Sequence, residues 1–479
     1  MAMLACKLIL AASMAVPAFA QTPADDLATH AERAQQAEQQ GDFSTAVREY
    51  QYLARRLPRN PELQSNLGVA LYFNHQWEQA IAVFHKALTF NTNLLAPHLF
   101  TGLSWYQLSK PDAAVPELET AVSLRSSDIL ARTWLGYAYV AQSRYEPAAK
   151  EFQEVTRLAP DNIDAWYALG KAWLEIGRQR TTALLKAAPN GARAWQLAGE
   201  QLQLQGDRGK ALADFEQANA RRPDIPELRR AMEELGGKPV TAAVAETSTH
   251  SQEDTLYSQA HEAEQKSRTA FEHVLSAAPD SYRAHQIMAD AYVLQQQDDK
   301  AIAEYRTVLQ LKPDLPGIHE AIGSALLRSG KSAEALTEFQ AELKLQPHSA
   351  TVNTLLGQTL LLLGKNDEAE KTLRNVLLMD RPPADAYRLL GKLELHRNNY
   401  QAAAEDLNRY LAAEKNDATA WYLLSRAYRG LGDKQLMDHA LSQFAKVSED
   451  AKARSQAQNE LARLNSQTHV DEEAGKHTP

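Results

Sequence analysis

Fourteen histidines, sixty carboxylates and one cysteine are the residues from which this chain could build a catalytic or metal centre. A zinc-hydrolase helix needs two histidines one turn apart, with a glutamate beside the first. His-Glu-Ala-Glu-Gln begins at His261 and His-Glu-Ala-Ile-Gly at His319, but neither has a second histidine four residues on. The run from Gly357 to Lys365, GQTLLLLGK, ends as a phosphate loop ends, with the wrong glycine spacing. There is no G-x-S-x-G and no dinucleotide fingerprint. Cys6 is the only cysteine, so a chain without it has neither a disulfide nor a thiolate metal site. No nucleophile–base set emerges, and the expectation is a protein without catalytic, cofactor or metal residues.

The remaining chemistry is that of recognition, and it depends on what holds it. The chain has 479 residues and a net charge of −9. That acidic balance argues against nonspecific nucleic-acid binding, which needs cations to neutralise phosphates. One compact core would be unusual at this length, so several domains or a repeat array are expected. Residues 1–20, MAMLACKLILAASMAVPAFA, read as a signal peptide. Lys7 precedes an apolar run from Leu8 to Val16, and Ala-Phe-Ala stands before Gln21. A short membrane anchor is the other reading, but the run is well short of the roughly 20 residues a span requires. The expectation is an exported protein, periplasmic or secreted, with no membrane span in the mature chain.

The elements show themselves by spacing. Glycines recur at one constant interval at Gly68, Gly102, Gly136 and Gly170, and again at Gly323, Gly357 and Gly391. Twelve residues after most of them stands an alanine, as at Ala80, Ala148, Ala335 and Ala403. Four further on stands a large apolar residue, as at Phe84, Leu118, Phe152, Phe339, Leu373 and Leu407. Each unit contains two blocks of about a dozen residues with helical apolar spacing. Gly or Asn separates the blocks at Gly41, Gly177, Gly206, Gly330, Gly364, Asn398 and Gly432, as a helix end requires. One such helix pair cannot bury its own apolar face, so the pairs must stack.

This pattern resembles the tetratricopeptide repeat (TPR) family over about residues 27–450. AWYALGKAWLEIG (165–177) carries the family's Trp, Leu-Gly and aromatic positions, and GKSAEALTEFQAELKLQP (330–347) its glycine, alanine, aromatic and closing proline. The resemblance implies an all-α, right-handed α-solenoid of about 10–11 helix pairs, and a scaffold that binds protein or peptide partners. In the family, positions 2, 5, 9 and 12 of the first helix, helix A, line a concave groove. Carried onto the N-terminal half, these positions give Val69, Tyr72, Leu99, Leu103, Tyr106, Tyr137, Val140, Tyr167 and Leu174. That apolar, tyrosine-rich strip reads either as a partner site or as surface buried against neighbouring repeats. In the C-terminal half the same positions give Arg388, Lys392, Tyr422, Arg426 and Arg429. These read either as an anion-binding patch or as solvated charge neutralised by Asp385, Glu394 and Asp417. One TPR subclass clamps C-terminal carboxylates through Lys at position 5 and Asn at position 9; no unit here has that pair.

One stretch breaks the spacing. The step from Gly170 to Gly199 is shorter than the constant interval, so Glu175–Pro189 has lost length. Sliding the chain by 90 aligns Tyr167 with Tyr257, Arg193 with Arg283 and Pro223 with Pro313 without gaps, and 265–279 is short in the same way. Two modules, each beginning with a shortened repeat, are therefore expected. The division read from spacing is a signal peptide at 1–20, repeat blocks at 27–235 and 255–451, a flexible linker at 236–254 (rich in Gly, Ser, Thr and Ala), a capping helix at 452–465 and a disordered tail at 466–479.

Overall fold

In a computed structural model of the chain, residues 24–204, 206–238, 251–379 and 382–448 are described. Residues 1–20 with Cys6, read above as a signal peptide, most of 236–254, and the expected capping helix at 452–465 and tail at 466–479 lie outside them. Among the described residues all regular structure is helical, arranged as consecutive antiparallel pairs.

The repeat at 129–162 shows how the sequence builds one pair. Asp128 stands just before the helix and accepts from the Ala131 N–H at 2.9 Å, satisfying one of the donors that a helix start leaves free. Helix A, Ile129–Ala141, then runs to a turn at Ser143. Helix B, Tyr145–Leu158, returns against it. The two backbones touch at Gly136, where a methyl group would stand 2.6 Å from the Phe152 ring. The aromatic therefore lies where any other side chain would be, and Phe152 is fully buried. Gly102 receives Leu118, Gly323 receives Phe339 and Gly391 receives Leu407 in the same way. Phe84 also reaches the following unit, with its ring centroid 6.2 Å from that of Phe100.

Where a turn joins the two helices, the fifteenth residue of the repeat is left-handed. Gly41, Gly330, Gly364 and Gly432 have φ between 73° and 74° there, and His75, Ser109, Ser143, Gln296 and Asn398 between 57° and 60°. In several repeats the fourth position of helix A ties the pair to the one before. Trp166 and Trp421 donate from Nε1 to the carbonyls of Pro160 and Lys415, six residues back, both at 2.8 Å. Arg132 donates to Ser126 O from the same position at 2.6 Å. Where the fourth residue is histidine it also bridges to helix B: His98–Glu117 at 2.6 Å, His285–Glu304 at 2.7 Å and His319–Glu338 at 2.6 Å.

The shortened repeats are built differently from the expected helix pairs. Residues 163–187 form one continuous helix, Ile163–Ala187, and 252–277 form another, Gln252–Ala277. Gly177 lies inside the first and marks no turn. The deletion that shortened each repeat removed the turn itself, fusing a helix A to a helix B. Two compact units result, cut inside these helices. One is the chain up to Ile176 together with Ala263–Ala277; the other is Gly177–Glu262 together with the chain from Ala278. They do not coincide with the blocks 27–235 and 255–451.

The first unit's fifth repeat takes its helix B from a distant part of the chain. Phe271 fills the place of Phe152, and a methyl at Gly170 would stand 2.5 Å from its ring. Ser267, buried, occupies the alanine position and donates to the Gly170 carbonyl at 2.9 Å. Trp166 stacks on His273 with centroids 4.1 Å apart, and the Lys266 ammonium sits 4.3 Å over the Trp173 ring. Residues 177–262 are thus an insertion between the helices of one repeat.

Within the second unit, the inserted stretch has its own small core. Ala192–Leu204 pairs with Arg208–Arg221 through Gly199 and Phe215, and Pro226–Glu234 adds Leu228 and Met232. From Tyr282 onward the regular pairs resume, through Ala418–Leu431 and a last helix at 434–448.

Candidate partner-binding surfaces

The tyrosine strip divides by burial. Val69, Leu99, Leu103 and Tyr167 are buried in the first unit's core and present nothing to a partner. Helix A packs on both sides in a stack, so apolar residues at its second-to-ninth positions are taken up by the neighbouring helices. Tyr72, Tyr106 and Leu174 are half-buried, as is Tyr137, and Val140 is exposed. Tyr106 meets Trp134 edge-on at 5.3 Å, Trp134 meets Tyr137 at 5.8 Å and Tyr137 meets Phe152 at 5.3 Å. These edge-to-face contacts fix the rings with one side toward the core. Burial pushes the Tyr72 and Tyr106 hydroxyls above their ordinary range.

A second constellation lies in the inserted stretch and was not singled out from the sequence. Arg193 donates to Asp254 at 2.7 Å and to Gln196 at 2.7 Å, with its guanidinium 4.4 Å over the Tyr257 ring. Arg222 reaches the other Asp254 oxygen at 3.3 Å. The Tyr257 hydroxyl donates to Glu200, and His261 Nε2 is 3.1 Å from the same carboxylate. Burial disfavours the Asp254 carboxylate, but Arg193 and the Ser251 hydroxyl outweigh it and hold the group at about 2. Burial and the Glu200 charge push the Tyr257 hydroxyl far up. Each group has a partner, so the network reads as structural. The glutamine contact of Arg193 is repeated ninety residues on, where Arg283 donates to Gln286 at 2.7 Å.

The cationic patch also divides. Arg388 is tied to Asp385 at 2.6 and 2.9 Å and lies 5.6 Å over the Tyr410 ring. Lys392 is exposed, and Tyr422 is 47% exposed with its ring 5.7 Å from Phe444. Arg426 and Arg429 instead share a cavity of about 150 Å³ with Leu395, Asn398, Tyr400 and Gly430.

That cavity belongs to a recurring place, the edge where the end of one helix A meets the start of the preceding helix B. Near the N-terminus Phe73 stacks there on Phe43 at 4.9 Å. Arg328 meets Asp298 at 2.6 Å, and Arg397 meets Asp367 and Glu370. Leu362, 60% exposed, faces Ser332 across a cavity of about 370 Å³. At Gly430 the missing side chain gives room to the Tyr400 ring, with which a methyl group would collide.

Among the described residues no group of three or more His, Cys, Asp or Glu stands together as a metal site, and no helix is long and apolar enough to cross a membrane.

Known proteins bear on the fold. The family model described as TPR repeat matches residues 136–177 and 289–330, and that described as tetratricopeptide repeat matches 32–93, 320–386, 354–418 and 389–436. Together they cover more than half of the chain; neither matches 178–288, where the insertion lies. No curated protein matches significantly. Among solved structures, TTC0263, a thermophilic TPR protein in Thermus thermophilus, is 17% identical, with TM-score 0.35 over 56% of this chain and 100% of its own. MamA 41-end from Desulfovibrio magneticus RS-1 is 24% identical, with TM-score 0.30 over 32% of this chain and 85% of its own.

Proposed function

The chain belongs to the tetratricopeptide repeat family, and from that premise we propose that it is a non-enzymatic scaffold holding an extended segment of a partner protein. The observation that carries this reading is the row on the first unit. Tyr72, Tyr106 and Val140 recur at one place in three successive repeats, with Tyr137 between the last two. Held rings with one free side give contact area at little entropic cost, which is why tyrosine is favoured at interfaces. The leader-like residues 1–20 support work outside the cytoplasm, in the periplasm or beyond the cell, in envelope assembly or secretion. The same aromatic row also suits sugars, so a polymer-export scaffold or the regulatory subunit of an envelope enzyme is the alternative. Peptide arrays against glycan arrays separate the two.

Crosslinking in the native envelope, read by mass spectrometry, tests the main reading. Tyr106→Ala with Tyr137→Ala should abolish partner recovery. Both rings pack, so that pair also costs stability, about 1–3 kcal/mol. Val140→Lys changes only an exposed position and should reduce recovery at unchanged thermal stability. Full recovery with Val140→Lys and with the double variant would remove the row as a binding surface.

A further inference from the structure

We propose that two copies of the chain exchange their 263–277 segments, each closing the Gly170 face of the other. The partner is a second copy of this chain, and the segment it lends is the one that already fits. The proposal does not depend on what the tyrosine row holds.

The residue order excludes the simpler closure. Counted from Ile163, Gly177 is the fifteenth residue of its repeat, where Gly41, Gly330 and Gly364 turn left-handed. Five and nine places after such a turn stand the small and the large side chain that helix B buries, as at Ala335 and Phe339. A turn at Gly177 would bring Thr182 and Lys186 to those places. Lys186 would then carry an ammonium into the hollow at Gly170, where a buried charge without an acid beside it is strongly disfavoured. The chain instead runs through Gly177 as helix. Leu184, beyond it, is fully buried with Ala194 and Tyr257 inside the second unit. The 163–176 stretch is therefore not closed by what directly follows it.

The 263–277 segment carries the complement. Ala263 and Ala270 join the core of the first unit, beside Ala168, Leu169 and Ala172. Phe271 fills the hollow at Gly170, and Ser267 donates to the Gly170 carbonyl. Lys266 and His273 meet the rings of Trp173 and Trp166. None of these contacts requires the two segments to belong to one chain. Their link is 177–262, which buries its own apolar residues among themselves around Phe215 and Leu184. Exchange between two copies leaves every contact in place and costs only the freedom of one copy relative to the other. Within one chain the link sets an effective concentration on the order of 1 mM or less. Copies that fold apart therefore close on themselves, and copies that fold together at high concentration trade segments.

The test uses full chains carrying two different affinity tags, unfolded together in urea and refolded over a range of concentrations. Mixed dimers should be recovered in a share that rises with concentration. They should be absent when the two copies are refolded apart and then mixed. A complementing pair of variants then locates the exchange. Phe271→Asp spoils the lent segment, and Gly170→Leu spoils the receiving face, where even a methyl group collides with the Phe271 ring. Neither variant can close the contact alone. Refolded together, the first offers an intact face and the second an intact segment. Hydrogen exchange of 163–176, read in the peptide that keeps Gly170, should be about tenfold slower in the pair than in Phe271→Asp refolded alone. Wild-type copies that stay unmixed at every concentration overturn the proposal, as does a pair that shows no slowing. Mixed dimers that form as readily from copies already folded, or from two Phe271→Asp copies, also overturn it, because they mark association through another surface.

Discussion

The repeat at 129–162 and the one after it use the same contact with opposite connectivity. In the first, Gly136 receives Phe152 sixteen residues later, across a turn of a few residues. In the second, Gly170 receives Phe271 only after the chain has passed through the whole of 177–262. The approach at the glycine is nearly the same in both, 2.6 against 2.5 Å. What defines a repeat here is therefore the meeting of two faces, and the chain can connect them by any route that closes. Lengthening a flexible closing loop by about four doublings would cost roughly 2–3 kcal/mol. The inserted stretch lowers that by being folded itself.

The comparison breaks first at the aromatics. Phe152→Ala and Phe271→Ala should each cost about 3–5 kcal/mol in urea unfolding, and should match each other within about 1 kcal/mol. A cost below about 1 kcal/mol for Phe271→Ala alone would mean that the distant helix only leans on Gly170. Acid sharpens it next. Asp254 has a folded value of about 2, below the ordinary carboxylate value of roughly 3.9. Its contribution is complete above that ordinary value and is lost as pH falls through about 2. Asp254→Asn should cost about 2–3 kcal/mol at pH 7 and flatten the acid dependence. Hydrogen exchange at 192–222 should accelerate in the wild type between pH 4 and pH 2, and should already be fast in the variant. The smallest effect separates the two repeats by what the split one lacks. Ser143 holds a left-handed turn at φ 58°, and Ser143→Gly should stabilise by about 0.5–1 kcal/mol. Asn398→Gly should gain less, because asparagine tolerates that conformation. Thermal melts of both variants check this.

Much of this was legible in the residue order. The constant glycine period, the Gly–Ala–aromatic offsets and the helical blocks yield the stacked pairs directly, because each is a local steric requirement. The split was not legible, because periodicity tells which face a helix buries and not which other helix buries it. A trace did exist. Past Gly170 the register resumes only after a long skip, placing Ser267 and Phe271 where an alanine and an aromatic belong. That skip is two and a half repeat lengths, and a half-integer insertion must hand a helix A to someone else's helix B. The bridges from His98, His285 and His319 to a glutamate nineteen residues on were also on the page; read one at a time, the histidines looked dispersed. For the tyrosine strip, the position rule picked residues by their place on helix A but could not weigh how much of each the next helix covers. Hence Leu99 and Tyr167 fell in the core while Tyr106 and Val140 kept a surface. Arg426 and Arg429 came from the same rule, yet that they share a cavity with Tyr400 and Asn398 shows only in the fold.

The long return from Gly170 to Phe271 also has a timetable. A polypeptide emerges from the ribosome at about 5–20 residues per second, so roughly 5–20 s pass between the appearance of the two residues. For that interval the first five helix A segments exist with one glycine face uncapped, while every earlier repeat can close within roughly 1–3 s. The nascent chain is therefore sticky at one known place and for a known time, and whatever shields it then must recognise the bare Ile163–Ile176 face before Phe271 arrives.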